Sequence, residues 1–147
     1  MSLEPDSPIS KPDYRQVCSG TTGYVEVLYV EMNDPEAHFE ELIKFFFQFH
    51  DPTTKNRQGN DEGTQYASVI FCDGNEQMNI ATKVKAELQK LMDTGKINMY
   101  SSEEVTTVIT ATTPFIEAHE EHQEYLAKNP LGYCNHAFRF TEWPSLN

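Results

Sequence analysis

Between His50 and Tyr66 the chain reads HDPTTKNRQGNDEGTQY. The stretch is almost wholly polar and gathers Asp51, Asn56, Arg57, Gln58, Asn60, Asp61, Gln65 and Tyr66. Carboxylates, amides and a phenol at this density can grip a polar ligand and move a proton. Gly59 and Gly63 let the backbone turn sharply between them. A solvated connection is the ordinary reading of a polar loop, but this run is longer and richer in donors and acceptors than most connections. A second chemical feature is Glu26, a carboxylate inside the apolar run YVEVLYV. Such an acid lies either at a sheet edge or in a site. Three thiols, Cys18, Cys72 and Cys134, complete the reactive groups.

These groups need a scaffold, and the hydrophobic pattern supplies one. Tyr24 to Val30 is rich in β-branched and aromatic residues and reads as a strand, with Tyr24, Glu26 and Leu28 on one face. Asp34-Pro35-Glu36 is a helix start, with an N-cap, a proline in the first turn and an acid at the positive end. That helix runs to about Phe49, with Phe39, Leu42, Ile43 and Phe46 as its core stripe. Ala67 to Cys72 reads as a short buried strand, and Asn75 to about Met92 as a second helix closed by Gly95. Val105 to Thr110 is a third strand. Glu117 to Lys128 reads as a third helix, halted by Asn129-Pro130. Strands alternating with helices imply an α/β or α+β sandwich, a small mixed sheet with helices packed on it. There is no internal repeat and no low-complexity segment.

The totals bound the function. A chain of 147 residues suits one domain with a real core. A net charge of −12 argues against nucleic acid and anionic membrane as partners. No apolar run approaches a membrane span. The first residues, MSLEPDSPISKPD, resemble neither a signal peptide nor a transit helix, and residues 1–13 read as a disordered lead. The cysteines are too few and scattered for a disulfide scaffold, which points to a reducing compartment, the cytoplasm by default.

Four ordered blocks carry a family resemblance from about Pro12 to about Arg139. They are PDYRQVCSGTTG from Pro12 to Gly23, the Val25-Glu26 pair, the Asp51 to Tyr66 block with RQGND and GTQY, and EHQEYLAKNPLGYC from Glu121 to Cys134. Together they strongly resemble the A-type peptide-methionine sulfoxide reductases. The resemblance implies a ferredoxin-like outline and reduction of methionine-S-sulfoxide, free or in proteins, which reverses one step of methionine oxidation. By that resemblance Glu26 donates the proton and Asp61 supports it. Tyr14 and Tyr66 place hydroxyls on the sulfoxide oxygen, and Cys134 is the resolving thiol. Burial is expected to raise the pKa of Glu26 and keep it protonated. No cofactor is implied. A thioredoxin is the implied reductant, and a monomer is expected.

The chain departs from the family at one point. The family's nucleophile lies in a GCFWG motif, and this sequence contains no Cys-Phe-Trp; its one tryptophan is Trp143. The expectation is therefore a family domain over residues 14–147 that is N-terminally truncated and lacks the first strand and helix. The most economical cause is a fragment or a wrongly started gene model; a truncated isoform and a pseudo-enzyme are the alternatives. An organelle stays open as a location if a targeting segment was lost with the start. Cys18 is the best replacement nucleophile by position, although a bystander thiol is the simpler reading, with only Arg15 nearby to lower its pKa. Cys72 is expected to be buried and inert. Two readings of other classes remain. The chain could bind methionine sulfoxide or a partner without turnover. Alternatively, His119 and His122 on one helical face could form a zinc-binding module with Cys134 and His136.

Overall fold

The computed structural model describes residues 1–3 and 11–146. Its centre is one βαβ unit. Strand β3 (Val69–Cys72) and strand β4 (Val108–Ala111) are parallel, in the register Val69↔Val108 to Cys72↔Ala111. Parallel neighbours need a long crossover, and helix α3 (Asn75–Asp93) provides it. Helix α2 (Pro35–Phe49) packs on α3, and α3 packs on both strands. The α/β layering expected from the sequence is what forms.

Local chemistry explains the boundaries. Asp34 Oδ1 accepts from the Ala37 N–H at 3.0 Å, and Pro35 has no N–H to leave unsatisfied. Helix α2 ends at His50, which is extended, and its aromatic stripe faces inward. Helix α3 stops at Gly95, whose φ of +71° suits glycine, and the Lys96 N–H returns to the Leu91 carbonyl. Phe39, Ile43 and Phe47 meet Val84, Leu88 and Leu91, with Ile70, Cys72, Ile97 and Val105 closing the core. Phe47 is fully buried, worth roughly 1.5–3 kcal/mol over leaving it exposed.

Two expected elements fail. Tyr24 to Val30 is not a strand: Tyr24 makes one isolated antiparallel bridge with Ser2, and residues 25–30 enter no ladder. The alternation was present, but among the described residues no neighbouring strand runs beside it. Leu28 is accordingly 87% exposed. Glu117 to Lys128 is not one helix either. It is a 3₁₀ turn, Glu120–His122, and a four-residue helix α4, Tyr125–Lys128, separated by Glu124 at φ +51°. Glu117, Glu120, Glu121 and Glu124 repel one another at i+3 and i+4 spacing, and the segment buries no residue that would repay ordering it. Strands begin later than expected, at Val69 and Val108.

Residues 4–10 of the expected lead lie outside the described residues. Its two ends are structured. The Leu3 N–H donates to Gly23 O and the Val25 N–H to Met1 O. Asp13 caps helix α1 (Tyr14–Cys18) through a reciprocal pair with Gln16, 2.8 Å each way.

Candidate active site

The polar block from His50 to Tyr66 divides into a buried half and a working half. His50, Asp51, Pro52, Thr53, Gln58 and Gln65 are buried. Asp51 accepts from Ser101 N and Oγ at 3.0 and 2.6 Å, and from Thr53 N at 3.0 Å. Burial alone would raise its pKa; the bonds from Ser101 and Thr53 more than offset this and hold it below the ordinary carboxylate range. This aspartate clamps the block to the loop before β4. It anchors the scaffold and faces no cleft.

The working half begins at a hairpin of β1 (Arg57–Gln58) and β2 (Asp61–Glu62), followed by a 3₁₀ turn at Thr64–Tyr66. Gln65 is its hub. Its side-chain N–H donates to the Cys18 carbonyl at 3.1 Å, and its own carbonyl accepts from the Glu26 N–H at 3.0 Å. Thr64 Oγ1 donates to Gly20 O at 3.0 Å. One turn thus fixes helix α1, the Glu26 segment and Tyr66 relative to each other. Gly63 is required here, since its φ is +142° and a Cβ there would collide with the Gln65 side chain.

The expected site residues Tyr14, Glu26, Asp61 and Tyr66 fall in one cluster. Glu26 keeps an exposed flank, so full burial is not what the fold provides. Its pKa is nevertheless raised, first by desolvation, against a lowering influence of His122, with the Asp61 carboxylate adding to the rise. Tyr66 is raised by burial and by the Glu26 charge. Tyr14 is pushed up to about 12, chiefly by its hydrogen bond to the Cys18 side chain and by the charge that thiol carries when ionised. All three acids therefore favour their protonated, donating forms. The tail completes the cluster. Asn135 Nδ2 donates to Asp61 Oδ2 and to Gln58 O, both at 2.6 Å. Cys134, beside it, is exposed.

Two participants were not singled out as site residues in the sequence. Gln65 appeared only as one polar residue among many, and nothing local announces its bonds to Glu26 and Cys18, far back along the chain. His122 stacks on Tyr14 with ring centroids 4.3 Å apart. With His119 it belonged to the alternative zinc site, which finds no support in the geometry. His136 stacks on Phe49, and among the described residues no three His, Cys, Asp or Glu side chains converge on a metal position. Cys72 is fully buried and its pKa raised by burial, as expected of an inert thiol. Beside the cluster lies a depression of about 330 Å³ lined by Asp13, Tyr14, Arg15, His119 and Glu121. A larger hollow of about 530 Å³, around Met92, Tyr100 and Ser101, holds none of these acids.

Comparison with known proteins supplies the context. The sequence profile of the family described as peptide methionine sulfoxide reductase matches residues 6–143. The peptide methionine sulfoxide reductase MsrA of Xylella fastidiosa (strain M12) is 43% identical over 123 residues, which are 84% of this chain and 55% of that protein. The mitochondrial peptide methionine sulfoxide reductase of Homo sapiens is 42% identical over 125 residues, 85% of this chain and 51% of that protein. The chain thus spans about half the length of these curated relatives. The crystal structure of Mxr1 from Saccharomyces cerevisiae in reduced form superposes with a TM-score of 0.78 at 38% identity, covering 93% of this chain and 72% of that one.

Proposed function

The chain belongs to the peptide methionine sulfoxide reductase family, and on that premise we propose that its acid cluster reduces methionine-S-sulfoxide, free or in proteins, by thiol chemistry. The observation that carries the reading is the convergence of Glu26, Tyr14 and Tyr66, all shifted toward their protonated forms.

Reduction removes the sulfoxide oxygen as water, which takes two protons and two electrons. The S–O bond is polarised, so oxygen gains basicity as sulfur accepts electron density. The Tyr14 and Tyr66 hydroxyls would donate hydrogen bonds to that oxygen, and the Glu26 carboxylic acid would supply the proton it needs to leave. Asp61 sits behind, keeping Glu26 reluctant to ionise and holding the tail through Asn135. Two thiols supply the electrons and end as a disulfide. Cys134, exposed and next to the Asp61 anchor, fits the resolving role, and a thioredoxin-type dithiol would reduce the disulfide by exchange. That chemistry suits a reducing compartment, the cytoplasm or an organelle interior such as the one named for the human relative.

Turnover of methionine-S-sulfoxide by the purified chain with dithiothreitol tests this. Methionine should form from the S epimer and not the R epimer, and Glu26→Gln should slow it by about 10²–10⁴-fold. A chain that leaves both epimers untouched overturns the reading. A second reading has one observation in its favour, the lack of Cys-Phe-Trp in these 147 residues. The cluster would then bind the sulfoxide without turning it over, and the S epimer would raise the melting temperature while no methionine appears.

A further inference from the structure

We propose that Gln65 is the positioning residue that lets the site tell the two epimers of methionine sulfoxide apart, by holding the short helix that carries Tyr14 against the turn that carries Tyr66. The proposal deepens the reductase reading and rests on it.

The three donors of the cluster come from three separate stretches of chain. Tyr14 opens α1, Glu26 lies in the run after Gly23, and Tyr66 ends the 3₁₀ turn at Thr64–Tyr66. Gln65 meets all three. It directly precedes Tyr66, its main-chain carbonyl accepts the Glu26 N–H at 3.0 Å, and its Nε2 donates to the Cys18 carbonyl at the far end of α1 at 3.1 Å. The last link matters most, because α1 has five residues and buries none of them. A helix that short with no buried face gains little from packing, so polar ties set where Tyr14 stands. Beyond its own cap, α1 and the loop after it are tied to other segments by the Gln65 bond, by Thr64 Oγ1 on Gly20 O at 3.0 Å, and by the stack of His122 on Tyr14.

The surroundings of the Gln65 amide point to placement and away from stability. The residue is 4% exposed, and its Oε1 is buried with no hydrogen-bond partner among the described residues. An unpaired buried carbonyl destabilises a fold, so an apolar side chain of the same length would suit the pocket better. The chain is nevertheless built around this amide. It lies between Gly20, where a Cβ would stand 3.1 Å from Oε1, and Gly63, where a Cβ would collide with it. What the amide alone supplies is the Nε2 bond to α1. With that bond in place Tyr14 and Tyr66 present their hydroxyls at one fixed spacing. A sulfoxide sulfur bears an oxygen, a methyl, a methylene and a lone pair. Once its carbon substituents are seated, the two epimers differ in where the oxygen points. Hydroxyls at a fixed spacing meet the oxygen of one epimer and miss that of the other, whereas a hydroxyl on a loose helix follows either. Preference between epimers is a difference of two affinities, and the rigidity of the donors sets it.

The test measures dissociation constants of methionine-S-sulfoxide and methionine-R-sulfoxide for the full chain, from the rise of melting temperature with concentration, in the wild type, Gln65→Met and Thr64→Val. Gln65→Met keeps the length and removes both amide heteroatoms. The wild type should bind the S epimer about tenfold or more tighter, the worth of one or two neutral hydrogen bonds. Gln65→Met should bring that ratio near one while its ligand-free melting temperature stays within about 3 °C. Methionine, with no oxygen to grip, should bind both proteins alike. A residue that only stabilised the fold would lower the melting temperature and leave the ratio unchanged. Thr64→Val cuts the other tie from the same turn, at an exposed site, and should lower the ratio in the same direction. A wild-type ratio in Gln65→Met overturns the proposal and leaves the reductase reading standing. A wild type that binds both epimers equally also overturns it and leaves a sulfoxide site without that preference. If Gln65→Met melts far below the wild type, Thr64→Val decides: an unchanged ratio overturns the proposal and a lowered one upholds it. A wild type that neither epimer stabilises removes the reductase reading, and the proposal with it.

Discussion

Asn135 Nδ2 lies 2.6 Å from Asp61 Oδ2, a charge-assisted hydrogen bond that pins the cysteine-bearing tail to the β1–β2 hairpin. The second bond of the same amide, to Gln58 O, is also 2.6 Å. Asn135→Ala removes both. The site is only partly buried, so the expected loss of global stability is about 1 kcal/mol in urea unfolding. The larger effect should fall on the resolving step. Disulfide formation after a single turnover should slow severalfold in stopped-flow quench while methionine release keeps its rate. Equal slowing of both would mean the tie orders the whole cluster and not the tail alone.

Gly59 is the other side of that tie. Its φ is +60°, and a Cβ there would stand 2.9 Å from Asn135 Cβ. Gly59→Ala therefore incurs a left-handed backbone penalty of about 1–2 kcal/mol and also displaces Asn135. The expected outcome is a urea midpoint lower than that of Asn135→Ala. The double variant should be less than additive, since both changes act on one contact.

The contrast between these residues and the core indicates what a sequence reveals. Asp34-Pro35 and the Phe39, Leu42, Ile43, Phe46 stripe announced α2 because capping and the 3.6-residue period are local, although the fully inward face is Phe39, Ile43 and Phe47. The cluster was legible only as far as motif blocks reached: Tyr14, Glu26, Asp61 and Tyr66 lie in them, and the structure brings all four together. Gln65 stood in the same block without a visible role, because its partners, Cys18 and Glu26, lie in another part of the chain. Tyr24 to Val30 misled for the opposite reason. Alternation reports which way side chains point, but a strand also needs a neighbour, and among the described residues only Ser2 pairs with this run. The Glu117 to Lys128 segment had helical spacing at its ends, yet four acids on adjacent turns and no buried face left it in two short pieces.

Glu26 sets a pH dependence whose sign is fixed. Its pKa is raised, by desolvation first, so the protonated acid persists above the ordinary carboxylate range. As proton donor it works only while protonated. Turnover under excess dithiol should therefore fall as pH rises through the raised pKa, once thiol ionisation is corrected for. Asp61→Asn removes the like charge and should move that falling limb to lower pH. Glu26→Gln should cost about 10²–10⁴-fold in kcat, the usual share of general-acid catalysis, and leave the limb absent. A limb that stays in place in Glu26→Gln would assign the proton to another group.

His50 controls stability and stands apart from the chemistry. Its Nδ1–H donates to the Phe46 carbonyl, which leaves Nε2 to accept from Ser68 Oγ at 2.8 Å, and Ser68 in turn meets Thr107 Oγ1 at 2.7 Å. His50 is 3% exposed, and its ring joins the end of α2 to the residues that lead into β3 and β4. Burial lowers its pKa to about 4; the Phe46 carbonyl opposes this, while His136 and Arg139 add to it against Asp51. The folded state thus holds the imidazole neutral, whereas an unfolded histidine binds a proton from about pH 6.5 downward. The unfolded chain then carries more protons, and stability falls as pH drops from about 6.5 toward the folded value, by about 3 kcal/mol in total from this group. Urea unfolding at pH 7, 6, 5 and 4 measures the slope. His50→Gln retains hydrogen-bonding capacity without a titrating ring, so it should start less stable at pH 7 and lose less between pH 6.5 and 4.5. Protonating carboxylates such as Asp51 contribute to both proteins alike, so the difference between the two curves isolates the histidine. Parallel curves would show that the His50–Ser68–Thr107 chain tolerates the charged ring.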